Sequence, residues 1–186
     1  MSTVLLLVSM SLDGYVAGPN VAADEPMGEG GERLHEWMFA DPSPTDVELM
    51  ARTRAATGAV VIGRRTFDVG LRHWGDVPYP APSFVVTHEQ RPELAQESGT
   101  FTFVDGVPSA IDQARAAAGD RTVVLMGADL ARQALRAGLV DEVFINLVPV
   151  TLGGGASLFA GLDVHLAPAE VISSPAVTHL RYRVVR

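Results

Sequence analysis

The sequence contains no cysteine. That excludes disulfides, thiolate metal sites and cysteine nucleophiles together, and it fits a reducing compartment, so a cytoplasmic location is expected. Positive charge is also scarce: 14 Lys plus Arg stand against 22 Asp plus Glu, a formal net charge of -8. No basic cluster is longer than two residues, so general nucleic-acid binding lacks the charge it needs. Chemical signatures are missing as well. No GxGxxG follows a strand, there is no Walker A lysine motif, no HExxH or His-x-His for a metal, and no GxSxG nucleophile elbow. The N-terminal run MSTVLLLVSMSLDGYVAG has no basic leader and is too short to span a bilayer before it meets Asp13 and Gly14. It reads as a core strand.

What remains is a globular chain of 186 residues with 47% hydrophobic and 19% charged residues. One domain covering 1–186 is the length-based expectation. Short apolar runs predict strands at Val4–Val8, Ala59–Ile62, Ser83–Thr87, Thr100–Val104, Thr122–Met126 and Val143–Val150. Between them, TDVELMARTRAAT predicts a helix capped at Thr45 and closed by Gly58, with Val47, Met50 and Ala51 on one face. Two more helices follow, VPSAIDQARAAAG and ADLARQALRAGL, the second burying Leu130, Ala131, Ala134 and Leu135. After Leu139 no helical period remains, and the late segments VHLAPAEVISSP and AVTHLRYRVVR read as antiparallel strands. The stretch from Pro19 to Pro44, rich in Gly, Pro and acid, is a candidate lid.

Two strand-to-helix junctions carry chemistry. In AVVIGRRTF the strand ends at Gly63, and Arg64, Arg65 and Thr66 open the next element. Free N–H groups and a partial positive charge make such a start an anion site, and arginine adds a fork suited to phosphate. In VVLMGADLARQAL, Gly127 and Ala128 form a second small-residue junction. Each alone is compatible with an ordinary helix start; the pair favours a pyrophosphate ligand. Asp13 and Asp46 are the candidate acids, one in a turn and one in a helix's first turn.

The order SMSLDGYVAG, VVIGRRTF, SFVVTH, VVLMGADLARQALRAGLVDEV and LVPVTLGGGASLF resembles the dihydrofolate reductase-like superfamily. Within it, the sequence is most similar to the reductase domain of riboflavin biosynthesis and its stand-alone bacterial relatives. The resemblance implies an α/β fold with a mixed, mainly parallel sheet of about eight strands flanked by helices, with antiparallel C-terminal strands. It implies NADPH as cofactor, with Arg64 and Arg65 near the 2'-phosphate and Thr66 near the pyrophosphate, beside Gly63 at the first helix start. Gly127, Ala128 and Leu130 would form the second pyrophosphate contact, Thr87 and His88 the adenosine side, and Ser9 and Val16 the nicotinamide amide. Asp129, if it faced a 2'-phosphate, would oppose NADPH. Arg33, Arg72 and the glycine loop are the only groups in view for a ribose phosphate, and with no deaminase domain before Met1 the chain is not expected to be the two-domain riboflavin enzyme itself.

The expected activity is therefore hydride transfer from NADPH to a small pterin-like or pyrimidine-like heterocycle, with a proton from Asp46, Asp13 or water. The alternative is an NADP(H)-binding sensor or resistance protein without turnover. A homodimer is expected, with either of the strands in AVTHLRYRVVR and VDEVFINLV as a candidate exposed edge. No metal, nucleic acid or membrane partner is expected.

Overall fold

A computed structural model describes residues 2–22, 24–74 and 79–186; the side chains of Arg72, His73 and Trp74, one of them a candidate phosphate ligand, lie outside the described residues. The fold is mixed α/β. Its strands are β1 (Val4–Ser11), β2 (Thr57–Gly63), β3 (Ser83–Val86), β4 (Leu94–Gln96), β5 (Gly99–Val104), β6 (Thr122–Met126), β7 (Glu142–Val148), β8 (Leu166–Ser173) and β9 (Thr178–Val184). The helices are α1 (Glu36–Phe39), α2 (Pro44–Ala56), α3 (Arg64–Trp74), α4 (Val107–Ala118) and α5 (Ala128–Arg136). Among the described residues nine strands follow the order β4-β5-β3-β2-β6-β1-β7-β9-β8, one more than the sequence suggests. The chain divides into two compact units, Met1–Leu6 with Ala56–Asp141 and Leu7–Ala55 with Glu142–Arg186.

In the first unit, β5, β3, β2, β6 and the start of β1 pair in parallel, and β4 closes the edge antiparallel to β5. Their near-continuous Val, Leu and Ile runs are what a sheet covered on both faces requires. Val60, Ile62, Val85, Phe67 and Phe101 form one core cluster, with Phe67 edge-on to Phe101 at 5.0 Å. Gly58 belongs to β2 and does not end the preceding helix. It is a packing glycine: a Cβ there would stand 2.9 Å from the Ala118 Cα and 2.7 Å from the Arg121 Cβ.

In the second unit, β9 is paired on both sides, with β7 and β8, so the expected exposed edge falls on neither β9 nor β7. The outer strand is β8, where Val171 is exposed. Helix α2 also departs from expectation. Its cap is Ser43, whose hydroxyl accepts the Asp46 N–H at 3.3 Å while the Asp46 carboxylate accepts the Ser43 N–H at 2.9 Å. This reciprocal pair is a capping box, and it displaces Thr45 as the helix start. The buried residues of α2 are Asp46 and Leu49; Val47 and Ala51 are exposed and Met50 is half-buried. The helix turns an acid inward because that acid has a buried partner, described below. Within Pro19–Pro44, Leu34 and Trp37 are buried in a cluster with Val148 and Val177, so this part of the candidate lid is anchored in a core.

Candidate functional site

The two small-residue junctions lie side by side in the first unit. Strands β2 and β6 are parallel neighbours with Ile62 opposite Met126, so Gly63 and Gly127 end them at the same level. Helices α3 and α5 consequently begin together. Gly127 has φ +109°, and a Cβ on it would stand only 2.8 Å from the Thr66 Oγ1. Glycine is thus favoured by backbone conformation, and its missing side chain leaves the Thr66 hydroxyl room where it stands. At α5 the Ala131 N–H makes its bond to the Gly127 carbonyl at 2.9 Å, and no side chain caps the helix. The N–H groups of Ala128, Asp129 and Leu130 precede that first helical bond. Leu130 itself is buried, packed beneath Gly63. Asp129 points its charge at Arg132, 2.7 Å away on the same helix.

The adjacent arginines have different fates. Arg64 donates from Nη1 to Asp68 at 3.2 Å and to Glu89 at 3.3 Å. Arg91 binds the same two acids, Glu89 at 2.6 and 2.9 Å and Asp68 at 3.2 Å. Arg65 is exposed and has no hydrogen bond or ion pair among the described residues. Just past β3, buried Thr87 accepts the Glu89 N–H on its hydroxyl at 3.1 Å. His88 projects outward, its Nδ1 2.6 Å from the Asp105 carboxylate.

In the second unit, Asp13 is occupied. Its carboxylate accepts the Ser11 hydroxyl at 2.6 Å, the Gly153 N–H at 2.7 Å and the Leu152 N–H at 3.1 Å. The Ser11 hydroxyl and these two backbone groups hold its pKa below the usual carboxylate range, against a weaker upward push from desolvation. The neighbouring loop is stitched to the glycine run: Val16 N–H donates to Ala156 O at 2.9 Å, and Ala156 N–H to Ala17 O at 3.0 Å. Ser9 is buried, and its hydroxyl accepts the Trp37 indole N–H at 3.3 Å.

Asp46 lies in a network that sequence reading missed. Its Oδ1 is 2.9 Å from Nε2 of His179, whose Nδ1 is 2.7 Å from the Asn146 Oδ1. Asp46, His179 and Asn146 are all buried, and Trp37 packs edge-on to the imidazole at 5.2 Å. Burial alone would raise the Asp46 pKa; hydrogen bonds from His179, Ser43 and Ser174 more than reverse this and bring it down to about 2. The S-P-T-D spacing was a legible signal for the cap, but nothing local marked His179 or Asn146. Arg33 is exposed. Among the described residues, no group of three or more His, Cys, Asp or Glu is placed to hold a metal ion, and no helix is long and apolar enough to cross a membrane.

Known proteins resemble this chain in sequence and in fold. A family model described as the RibD C-terminal domain matches residues 2–179. A putative riboflavin biosynthesis protein from Shewanella sp. PV-4 superposes with a TM-score of 0.76 at 23% identity, covering 99% of each chain. A pyrimidine reductase-like protein from Corynebacterium diphtheriae gives 0.66 at 16% identity, covering 100% of this chain and 92% of that one. RibD of Acinetobacter baumannii gives 0.67 at 17% identity over all of this chain, which spans only 59% of that protein. These likenesses establish the shared fold. Among curated protein sequences there is no match.

Proposed function

The chain belongs to the RibD C-terminal domain family, and from that premise we propose that it is an NADPH-dependent reductase of a small pyrimidine-like or pterin-like heterocycle. The observation that carries the reading is the paired start of α3 and α5 in the first unit, with the Thr66 hydroxyl against Gly127 and Arg65 unpaired among the described residues. Gly63, Thr66, Gly127, Ala128 and the Leu130 N–H would hold the pyrophosphate, where helix-start donors favour an anion. Arg65 is the first-choice partner for the 2'-phosphate, ahead of Arg64, because Arg64 already answers two acids. Thr87 and His88 are assigned to the adenosine side.

In the second unit, Ser9 and Val16 are assigned to the nicotinamide amide. The Val16 N–H is already given to Ala156, so its carbonyl is the group left to accept. When bound, NADPH supplies the hydride. Asp13 and Asp46 are both held below the usual carboxylate range and carry no proton to give near neutral pH. We therefore assign the proton to water, and give Asp13 the role of fixing the backbone at Leu152 and Gly153. The same commitment of both acids favours, as a second reading, a nucleotide-binding protein without turnover. A homodimer in the cytoplasm completes the proposal, and light scattering of the purified protein checks the assembly.

Binding of NADPH, NADP and NADH followed by tryptophan fluorescence tests the cofactor; no binding at micromolar concentration overturns both readings. Oxidation of NADPH with dihydropterins or aminopyrimidines then separates turnover from binding alone. Arg65→Ala is expected to weaken NADPH roughly tenfold or more, the loss of a charged hydrogen bond, while NADH changes little. Arg64→Ala is expected to have the smaller effect. Equal losses for both nucleotides would show that neither arginine reads the 2'-phosphate.

A further inference from the structure

Arg64, Asp68, Arg91 and Glu89 close a ring in which each acid touches both arginines, at distances from 2.6 to 3.3 Å. Its formal charges cancel. The corners are not held equally: Arg91 makes two short bonds to Glu89, and its guanidinium lies 5.6 Å from the centre of the Phe103 ring. Arg64 makes only the longer contacts, both from one nitrogen, at 3.2 and 3.3 Å. It is the corner most easily withdrawn, because Glu89 keeps Arg91 when Arg64 leaves.

We infer that Glu89 is a specificity-determining residue that competes with a ligand phosphate for Arg64, and so reduces the advantage of 2'-phosphorylated over unphosphorylated adenine nucleotides. The inference rests on the proposed cofactor site. Arg65, outside the ring, supplies the uncontested part of the attraction. Glu89 and the phosphate are alternative acceptors for one guanidinium, so removing the Glu89 charge leaves Asp68 as the remaining acid on Arg64 among the described residues and eases its transfer to the phosphate. The gain belongs to ligands that carry that phosphate; a nucleotide ending in a ribose hydroxyl has nothing to offer Arg64 in exchange.

Isothermal titration of adenosine 2',5'-bisphosphate and of 5'-ADP into the full chain tests this without any reductase activity. Glu89→Gln is expected to tighten the bisphosphate roughly fivefold, the scale of one exposed ion pair, and to change 5'-ADP by less than about twofold. Glu93→Gln, an exposed acid bonded to Thr102, is the control and is expected to change neither. In the Arg64→Ala background, Glu89→Gln is expected to add nothing. Equal tightening of both nucleotides, or a full gain retained without Arg64, overturns the competition. Failure of the wild type to bind either nucleotide overturns the cofactor reading itself, and the two failures are told apart by whether 5'-ADP still binds. Thermal melts of each variant confirm that the fold is kept.

Discussion

Gly155→Ala is expected to cost at least about 3 kcal/mol of stability or to prevent folding, while Gly154→Ala stays within about 0.5 kcal/mol. The two glycines are neighbours in one run but answer to different constraints. Gly155 has φ +120°, and a Cβ on it would collide with the Ala17 carbonyl oxygen and stand 2.6 Å from the Gly18 carbonyl carbon. Both obstacles are backbone, which cannot rotate aside as a side chain tip can. Gly154 has no positive φ, and open space surrounds the position of its missing Cβ. Denaturant midpoints of the two variants measure the contrast directly. Similar midpoints would show that the Ala17–Gly18 backbone yields, and that the close approach is not a requirement of the fold.

The second large effect belongs to the buried pair. His179→Ala is expected to destabilise the protein by about 3 to 5 kcal/mol, because it leaves the Asp46 carboxylate buried beside an unpaired Asn146. Replacing both Asp46 and His179 with leucine is expected to cost less than the sum of the separate changes, since no buried charge is then stranded. The pair also shapes acid stability. The Asp46 carboxyl titrates near 3.8 when unperturbed and at about 2 in the folded protein, so the folded state favours its ionised form. That contribution, about 2 kcal/mol, is complete above the unfolded value and is lost as pH falls from there through about 2. Comparing chemical denaturation at pH 5 and pH 3 in wild type and Asp46→Asn isolates it. An identical pH dependence in both would remove Asp46 from the account.

The sheet was legible because its strands are buried on both faces: Val4–Val8, Ala59–Ile62 and Thr122–Met126 are apolar runs with little to confuse them. Strand β4 was not, because LAQ is three residues set among polar ones, and its place comes from pairing with β5. The buried face of α2 is not legible in the sequence for a related reason. Hydrophobicity assigns Val47 and Ala51 to the interior, but the stronger determinant is Asp46 meeting His179, 133 residues away in the chain. No local pattern announces such a partner. The difference between Arg64 and Arg65 has a partial signal, since Asp68 stands four residues after Arg64, the spacing of a helical ion pair. Glu89 and Arg91 were beyond that reach, being brought in by the parallel pairing of β2 with β3.

The wedge of Gly155 against Ala17 and Gly18, with the Asp13 carboxylate clasping Leu152 and Gly153, has a bearing on how this fold can be borrowed from. Residues 11–18 and 150–158 fit as mould and cast. A chimaera that imports either loop from a relative would inherit half of a matched shape, so a stable fold is expected only when both segments are exchanged together.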